Sequence, residues 1–327
     1  KKAVEELGYR VDAKSIIWDG EKAISHLGAR KAVLNDLSPA ATFIAYNYNT
    51  PVDTAAFERE AKLILKEVEQ ECGWMYETWH PNCDDPKRVK ARINYTVWSE
   101  VLACPNCTNE IVFSDEAFDE ESGHVRDNFP CPKCGVLLKK DQLELLFETR
   151  HDPLTGEGIK SPRRVPVLIN YKIGKNKLEK KPDSFDLDII ERINSLNFPD
   201  EIPTLKLPDI QMARVGRMKT TGITYVRDFF LRRQVHSLAG LWRRAKKTPN
   251  LRLKNFLLYF VDQSIWGLSV LNRYSPTHFS QTNRALSGVF YVASHISEVS
   301  PWYNLEGKLS RLVRAFQTRE NFPINSV

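Results

Sequence analysis

Two short stretches constrain this chain more than anything else in it: "ACPNCTNEIVF", Ala103 to Phe113, and "FPCPKCGVLL", Phe129 to Leu138. Each holds a Cys-x-x-Cys, Cys104 with Cys107 and Cys131 with Cys134, and 23 residues separate the two pairs. Two residues between thiols let a tight turn aim both sulfurs at one ion about 2.3 Å away, and a second such turn completes a tetrahedron. Pro105, Pro132 and Gly135 suit those turns. The separation slightly exceeds the roughly 15–20 residues of the commonest zinc pattern, and a hairpin spans it. The expectation is a structural Zn2+ held by Cys104, Cys107, Cys131 and Cys134 on a β-ribbon; redox-active dithiols are the competing reading. Four thiolates leave no open coordination position, so the ion would hold a fold together without performing a reaction. His124 lies between the knuckles, but the shell is full without it. His80 and Cys83 in "WHPNCDD" have ligand-like spacing without a second pair and read as an ordinary loop with a solvent-facing histidine.

Six cysteines in 327 residues are too few for a secreted disulfide scaffold, which favours a reducing compartment and metal. No apolar run approaches the roughly 18 residues of a membrane span, and "KKAVEELGYR" lacks the apolar core of a signal peptide, so the expected location is cytoplasmic with no membrane partner. The formal net charge of +6 is a mild pointer to a polyanionic partner. Starting at Lys1 and ending on "NFPINSV", the sequence reads as a piece of a longer protein.

Periodicity predicts an α/β chain with an inserted β-rich module and a mainly helical C-terminal region. "KAVLND", residues 31–36, reads as a strand, Ser38-Pro39 breaks it, and "AATFIAYNY" reads as a helix. Asp53-Thr54 then caps a helix whose stripe is Ala56, Phe57, Ala61, Ile64, Leu65 and Val68. "ARINYTVWSEVLACPNC" alternates as a strand that runs into the first knuckle. "SDEAFDEESGHVRD" reads as a solvated hairpin or loop, "KKDQLELLFE" as a short helix, and "VPVLINYKIGKNKLEKKPD" as a hairpin about Gly174-Lys175-Asn176. A helix capped by Ser184 and two long helices ended by Thr248-Pro249 and Ser275-Pro276 follow. The expected division is 1–78, an α/β segment; 79–182, a β-rich region with the four-cysteine ribbon at about 100–140; and 183–327, a basic, mainly helical region.

In open α/β sheets, ligands lie at the carboxyl ends of strands, where an acid can bind ribose hydroxyls. Asp36 in "AVLNDLSP" has that setting, and capping the next helix explains it equally well. "LNDLSPAATFIAYNYN" resembles the segment after the cofactor glycine loop in amino-directed DNA methyltransferases. The likeness extends through "YTVWSEVLACPNC", "FPCPKCGVLL", "VPVLINYKIG", "KKPDSFDL", "GITYVRDFFLRRQ" and "LSGVFYVASHISEVSPWYNLEGKL", most of the chain. It implies a partial Rossmann-type methyltransferase with a zinc-ribbon insertion, transferring a methyl group from S-adenosylmethionine to an exocyclic amine of adenine or cytosine in DNA, as in restriction-modification. It makes Asp36 the ribose ligand of S-adenosylmethionine, with Leu37, Ser38 and Pro39 shaping the adenosine pocket. It also makes residues 1–78 a partial S-adenosylmethionine-binding segment, 79–182 an insertion and 183–327 a DNA-contacting region. Two departures stand out: no Gly-x-Gly precedes this segment, and no Asp-Pro-Pro-aromatic tetrapeptide occurs in the chain. No catalytic residue is therefore named, and the isolated chain is expected to be inactive.

Between Arg214 and Lys254, twelve basic residues face one acid, Asp228. Arg232, Arg233, Arg243, Arg244, Lys246 and Lys247 are the expected DNA contacts, since phosphate neutralisation is the natural use of such a block. The same residues can equally form the solvated face of a helix whose core side is Phe229, Phe230, Val235, Leu238, Leu241 and Trp242. "PWYNLEGKL", Pro301 to Leu309, and "SPTHFSQTN" around His278 read as packing and polar loop respectively. A non-enzymatic zinc-ribbon nucleic-acid-binding protein is the alternative to the methyltransferase.

Overall fold

The structure, a computed structural model, describes residues 1–28, 33–81, 89–119, 121–214, 218 and 220–320. Lys31, Ala32, Cys83, Arg217, Lys219 and the terminal "NFPINSV" lie outside the described residues. The chain is mixed α/β and falls into two compact units, residues 1–52 with the chain from 314 on, and residues 53–313.

In the first unit, α1 (Lys2–Glu6) precedes a three-stranded antiparallel meander of β1 (Arg10–Val11), β2 (Ile16–Asp19) and β3 (Lys22–His26). Asp12 anchors its first turn by accepting from the Lys14 and Ile16 backbone N–H groups and from Trp18 Nε1. Helix α2 (Pro39–Asn49) forms as expected, with Pro39 in its first turn and the Ser38 side chain accepting from Ala41 N–H. The strand expected before it does not form over its described part: Val33 to Asp36 pair with no strand, and Val33 and Leu37 are almost fully exposed. An extended segment becomes a strand only when a neighbour accepts its backbone hydrogen bonds, and β1 to β3 satisfy one another.

The second unit opens with α3 (Thr54–Cys72), capped by Asp53 and burying the predicted stripe of Phe57, Ala61, Ile64, Leu65 and Val68. Then follow β4 (Glu77–Trp79), β5 (Lys90–Ala103), β6 (Glu110–Val112), α4 (Phe113–Glu116), β7 (Phe118–Asp119), β8 (His124–Val125), β9 (Phe129–Pro130), β10 (Leu137–Leu138), β11 (Glu144–Leu145), β12 (Phe147–His151), β13 (Gly158–Pro162), β14 (Arg164–Ile173) and β15 (Asn176–Lys180). The rest is α5 (Ser184–Asn194), α6 (Gln211–Arg214), α7 (Arg232–Lys247), α8 (Leu251–Leu268), β16 (His295–Val299) and α9 (Pro301–Glu320), which runs on past this unit.

Strand β5 is the spine. It is buried along nearly its whole length, and β4, β6, β11, β14 and β16 all pair with it to make a seven-stranded sheet closed by β15. Every described strand pairing is antiparallel, so the parallel ladder of a Rossmann-type half is not formed among the described residues. The β14–β15 hairpin turns at Gly174-Lys175, with Gly174 at φ +59° as such a tight turn demands. Helices α3, α7 and α8 pack on one another, Phe57 edge-on to Phe256 with ring centroids 4.6 Å apart.

Three local expectations need correction. Helix α8 stops at Leu268, short of Ser275-Pro276; the chain leaves the helix there, and Val270 N–H donates to the Phe229 carbonyl instead. The "KKDQLELLFE" segment is not a helix but a short turn followed by β11 and β12, because Glu144 and Leu145 complete the ladder at the end of β5 opposite Ala103 and Leu102. Helix α5 is capped by Asp183 rather than Ser184: Asp183 accepts from the Asp186 N–H while the Asp186 carboxylate accepts from the Asp183 N–H.

Candidate functional site

The knuckles form the same local structure twice. In the first, Thr108 N–H donates to Cys104 O and Cys104 N–H to Asn109 O; in the second, Gly135 N–H donates to Cys131 O and Cys131 N–H to Val136 O. Each loop turns through a left-handed residue, Thr108 at φ +56° and Gly135 at φ +71°. Leu102, Ile111, Phe113, Ala117, Phe118, Phe129 and Leu138 form a small core beneath, with Cys104 and Cys131 buried against it.

The four sulfurs lie within 4.8 Å of one another. Cys104 Sγ is 3.8 Å from Cys134 Sγ, and Cys107 Sγ is 3.7 Å from Cys131 Sγ. A tetrahedron with sulfur–metal bonds of about 2.3 Å has edges of about 3.8 Å, so the cluster can hold a metal such as zinc. These separations far exceed a disulfide bond of about 2.05 Å. A hydrogen bond from the Asn106 side chain to Cys134 Sγ, with a second from the Val136 N–H, favours the thiolate form of Cys134. His124 is exposed on β8 and is not among the clustered ligands. His80 is tied down, with Nδ1 2.8 Å from the Tyr171 hydroxyl.

Half of the basic block, including all six expected DNA contacts, lies on one helix, α7, but three of the four arginines there are ion-paired to carboxylates of this chain. Arg233 is buried and pairs with Glu298 of β16, and its guanidinium also donates to Met75 O and Thr96 Oγ1. Arg243 bridges Glu201 and Glu71, and Arg244 bridges Glu67 and Glu71. The block carries few acids in sequence because its counter-charges come from α3, β16 and the 195–231 connection. Of the six expected DNA contacts, only Lys246 and Lys247 are exposed. Trp302, within the aromatic "PWYNLEGKL", is buried and donates from Nε1 to Leu65 O, which makes it a packing residue.

Arg232 differs from its neighbours. Its guanidinium lies 3.6 Å from the Phe198 ring centroid, makes no ion pair among the described residues, and leaves a buried Nη1 without a hydrogen-bond partner there. It lines a cavity of about 350 Å³ bounded by the β12–β13 hairpin, the end of α5, the 221–231 segment and the start of α7. Arg227 lines the same space, paired through Nη2 with Asp152 and carrying a second buried, unpartnered Nη1. Burial, with Arg150 nearby, disfavours the charged form of Arg232. Sequence reasoning singled out neither this cavity nor Arg227, because its walls come from four separated segments.

In the first unit, Asp36 is exposed, and its Oδ1 accepts from the Ser38 N–H at 2.8 Å, an Asx turn leading into α2. Leu37 projects fully into solvent beside it, followed by Ser38 and Pro39 at the helix start.

The described residues thus define a mixed α/β chain with antiparallel sheets and a four-cysteine cluster able to hold a metal. None of its described helices is long and apolar enough to cross a membrane. Compared with family models, with curated proteins and with solved structures, the chain has no match.

Proposed function

We propose that the chain is part of a DNA amino-methyltransferase in which the four cysteines hold a structural Zn2+ and Asp36 meets the ribose of S-adenosylmethionine. The observation that carries the cofactor reading is the Asp36 turn. One carboxylate oxygen is fixed by the Ser38 N–H at the head of α2, which aims an exposed carboxylate beside the apolar, exposed Leu37. A ribose diol and a flat base need a pairing of this kind, an acceptor next to an apolar wall. The described residues supply nothing for the methionine end of the cofactor, and the Rossmann-type sheet would be completed by the full-length protein. S-adenosylmethionine would provide the electrophilic methyl group; the target base would have to leave the duplex stack to reach it.

The alternative, a zinc-ribbon nucleic-acid-binding protein without methyl transfer, is favoured by the wholly antiparallel described sheets and the closed four-sulfur cluster. One experiment separates the two. The full-length protein containing this chain is incubated with labelled S-adenosylmethionine and DNA. Label in DNA, with cofactor KM raised at least tenfold by Asp36→Ala, supports the methyltransferase; folded, DNA-retaining protein with no transfer supports the alternative.

A further inference from the structure

The cavity at the start of α7 has more hydrogen-bond donors than the protein satisfies. Arg227 and Arg232 each present a buried Nη1 without a partner among the described residues, although Arg227 is also held by Asp152 and stacks over Tyr225 with its Cζ 4.0 Å from the ring centroid. An unmet donor on a buried cation is expensive, more so than on a neutral group. Other arginines on this wall have carboxylates: Arg233 has Glu298 and Arg150 has Glu148. Among the described residues Arg232 has the face of Phe198 and no ion pair, the charge of Asp152 reaching it only at longer range.

The backbone points the same way. Arg232 opens the 16-residue helix α7, and its N-cap is Leu231, which has no side-chain oxygen to accept from the first N–H groups of the helix; the Gln234 side chain accepts from Leu231 N–H instead. The positive end of a helix dipole therefore meets two unsatisfied guanidinium edges in one recess. Trp98, Phe230 and Val270 give the recess an apolar wall, and its volume of about 350 Å³ lies at the small end of the range for organic ligands.

We propose that this cavity binds a small organic phosphate, its oxyanion held by Arg232 and Arg227 at the start of α7 and its apolar body against Trp98 and Phe230. Phosphate fits better than a carboxylate because its three terminal oxygens can serve both guanidinium edges and the helix N-terminus together. The assignment is independent of the methyltransferase reading.

The test uses phenyl phosphate, inorganic phosphate and benzoate as probes, with sodium chloride matched for ionic strength, read by calorimetry and by thermal denaturation of the chain. Phenyl phosphate should bind in wild type and in Lys175→Gln, an exposed charge change at the β14–β15 turn, with Kd raised at least tenfold in Arg232→Gln. Arg232→Lys, which keeps the charge and loses the fork, should recover only part of the affinity. Near-UV circular dichroism establishes that the variants are folded; if Arg232→Gln is not, the phosphate-against-chloride comparison in wild type decides alone. Equal stabilisation by chloride, preference for benzoate, or undiminished phenyl phosphate binding in folded Arg232→Gln would each overturn the assignment.

Discussion

Arg233 and Glu298, 65 residues apart in sequence, form a buried ion pair that ties the first turn of α7 to strand β16. Trp98 Nε1 donates to the same Glu298 oxygen at 2.7 Å, so the carboxylate also fastens β16 to the spine strand β5. Removing one partner leaves a desolvated charge. Arg233→Gln or Glu298→Gln should cost about 3–5 kcal/mol in urea denaturation, whereas replacing both by apolar residues of similar volume should cost much less. A single-variant loss below about 1 kcal/mol would show that the pair does not matter.

The cysteine cluster should contain about one metal ion per chain in elemental analysis. Chelation, or Cys134→Ser, should raise amide exchange across residues 104–138 well before it affects α7 and α8, because the small core under the knuckles is distinct from the helical core. Uniform exchange protection in metal-free protein would refute a structural role.

His295 gives the structure a pH dependence. Its ring is buried against Phe118 and Phe113, with centroids 4.5 and 4.9 Å away, and burial lowers it from 6.5 to about 4, Lys140 adding to the effect. The unfolded chain therefore binds the proton more readily than the folded one. Stability from this site is complete above about pH 6.5 and falls as the pH drops toward about 4, by up to ~3 kcal/mol. His295→Phe should flatten that part of the stability profile; an unchanged slope would assign it to other groups.

Gly222 sits at φ +69°, and a Cβ there would lie 2.0 Å from the Lys160 carbonyl oxygen of β13. Backbone cannot swing aside as a long side chain can. Gly222→Ala should cost about 2 kcal/mol or more in thermal unfolding; a variant as stable as wild type would mean this crossing relaxes freely.

If α7 meets DNA, its two exposed lysines should do so and its paired arginines should not. Lys246→Gln with Lys247→Gln should reduce the salt dependence of oligonucleotide retention by roughly one unit of slope per lost phosphate contact. Arg243→Gln and Arg244→Gln should leave that slope alone and lower stability instead. The reverse pattern would restore the arginines as the phosphate contacts.

The elements legible in the sequence were those set by local signals. The Asp53 cap and the stripe from Phe57 to Val68 specify α3, the knuckle spacing brings four sulfurs together, and Gly174-Lys175 turns a hairpin. What the sequence hid depended on distant partners. Glu144 and Leu145 became strand because β5 offered an open ladder, residues 147–151 because β13 pairs with them, and residues 33–36 stayed irregular because no strand lay beside them. The charge block misled for a related reason: a window in sequence records which charges are neighbours along the chain, while Glu67, Glu71, Glu201 and Glu298 reach it only after folding. No local pattern could have revealed the Arg227 and Arg232 cavity.

Strand β5 also fixes an order of assembly. It pairs within a few residues with β6, yet Trp98 opposes Ile296, which leaves the ribosome almost 200 residues later. At ordinary synthesis rates of about 5–20 residues per second, the knuckle hairpin can fold and bring its four cysteines together seconds before β16 exists. One stretch of β5 must meanwhile wait with an open edge, a template for wrong pairing until β16 arrives.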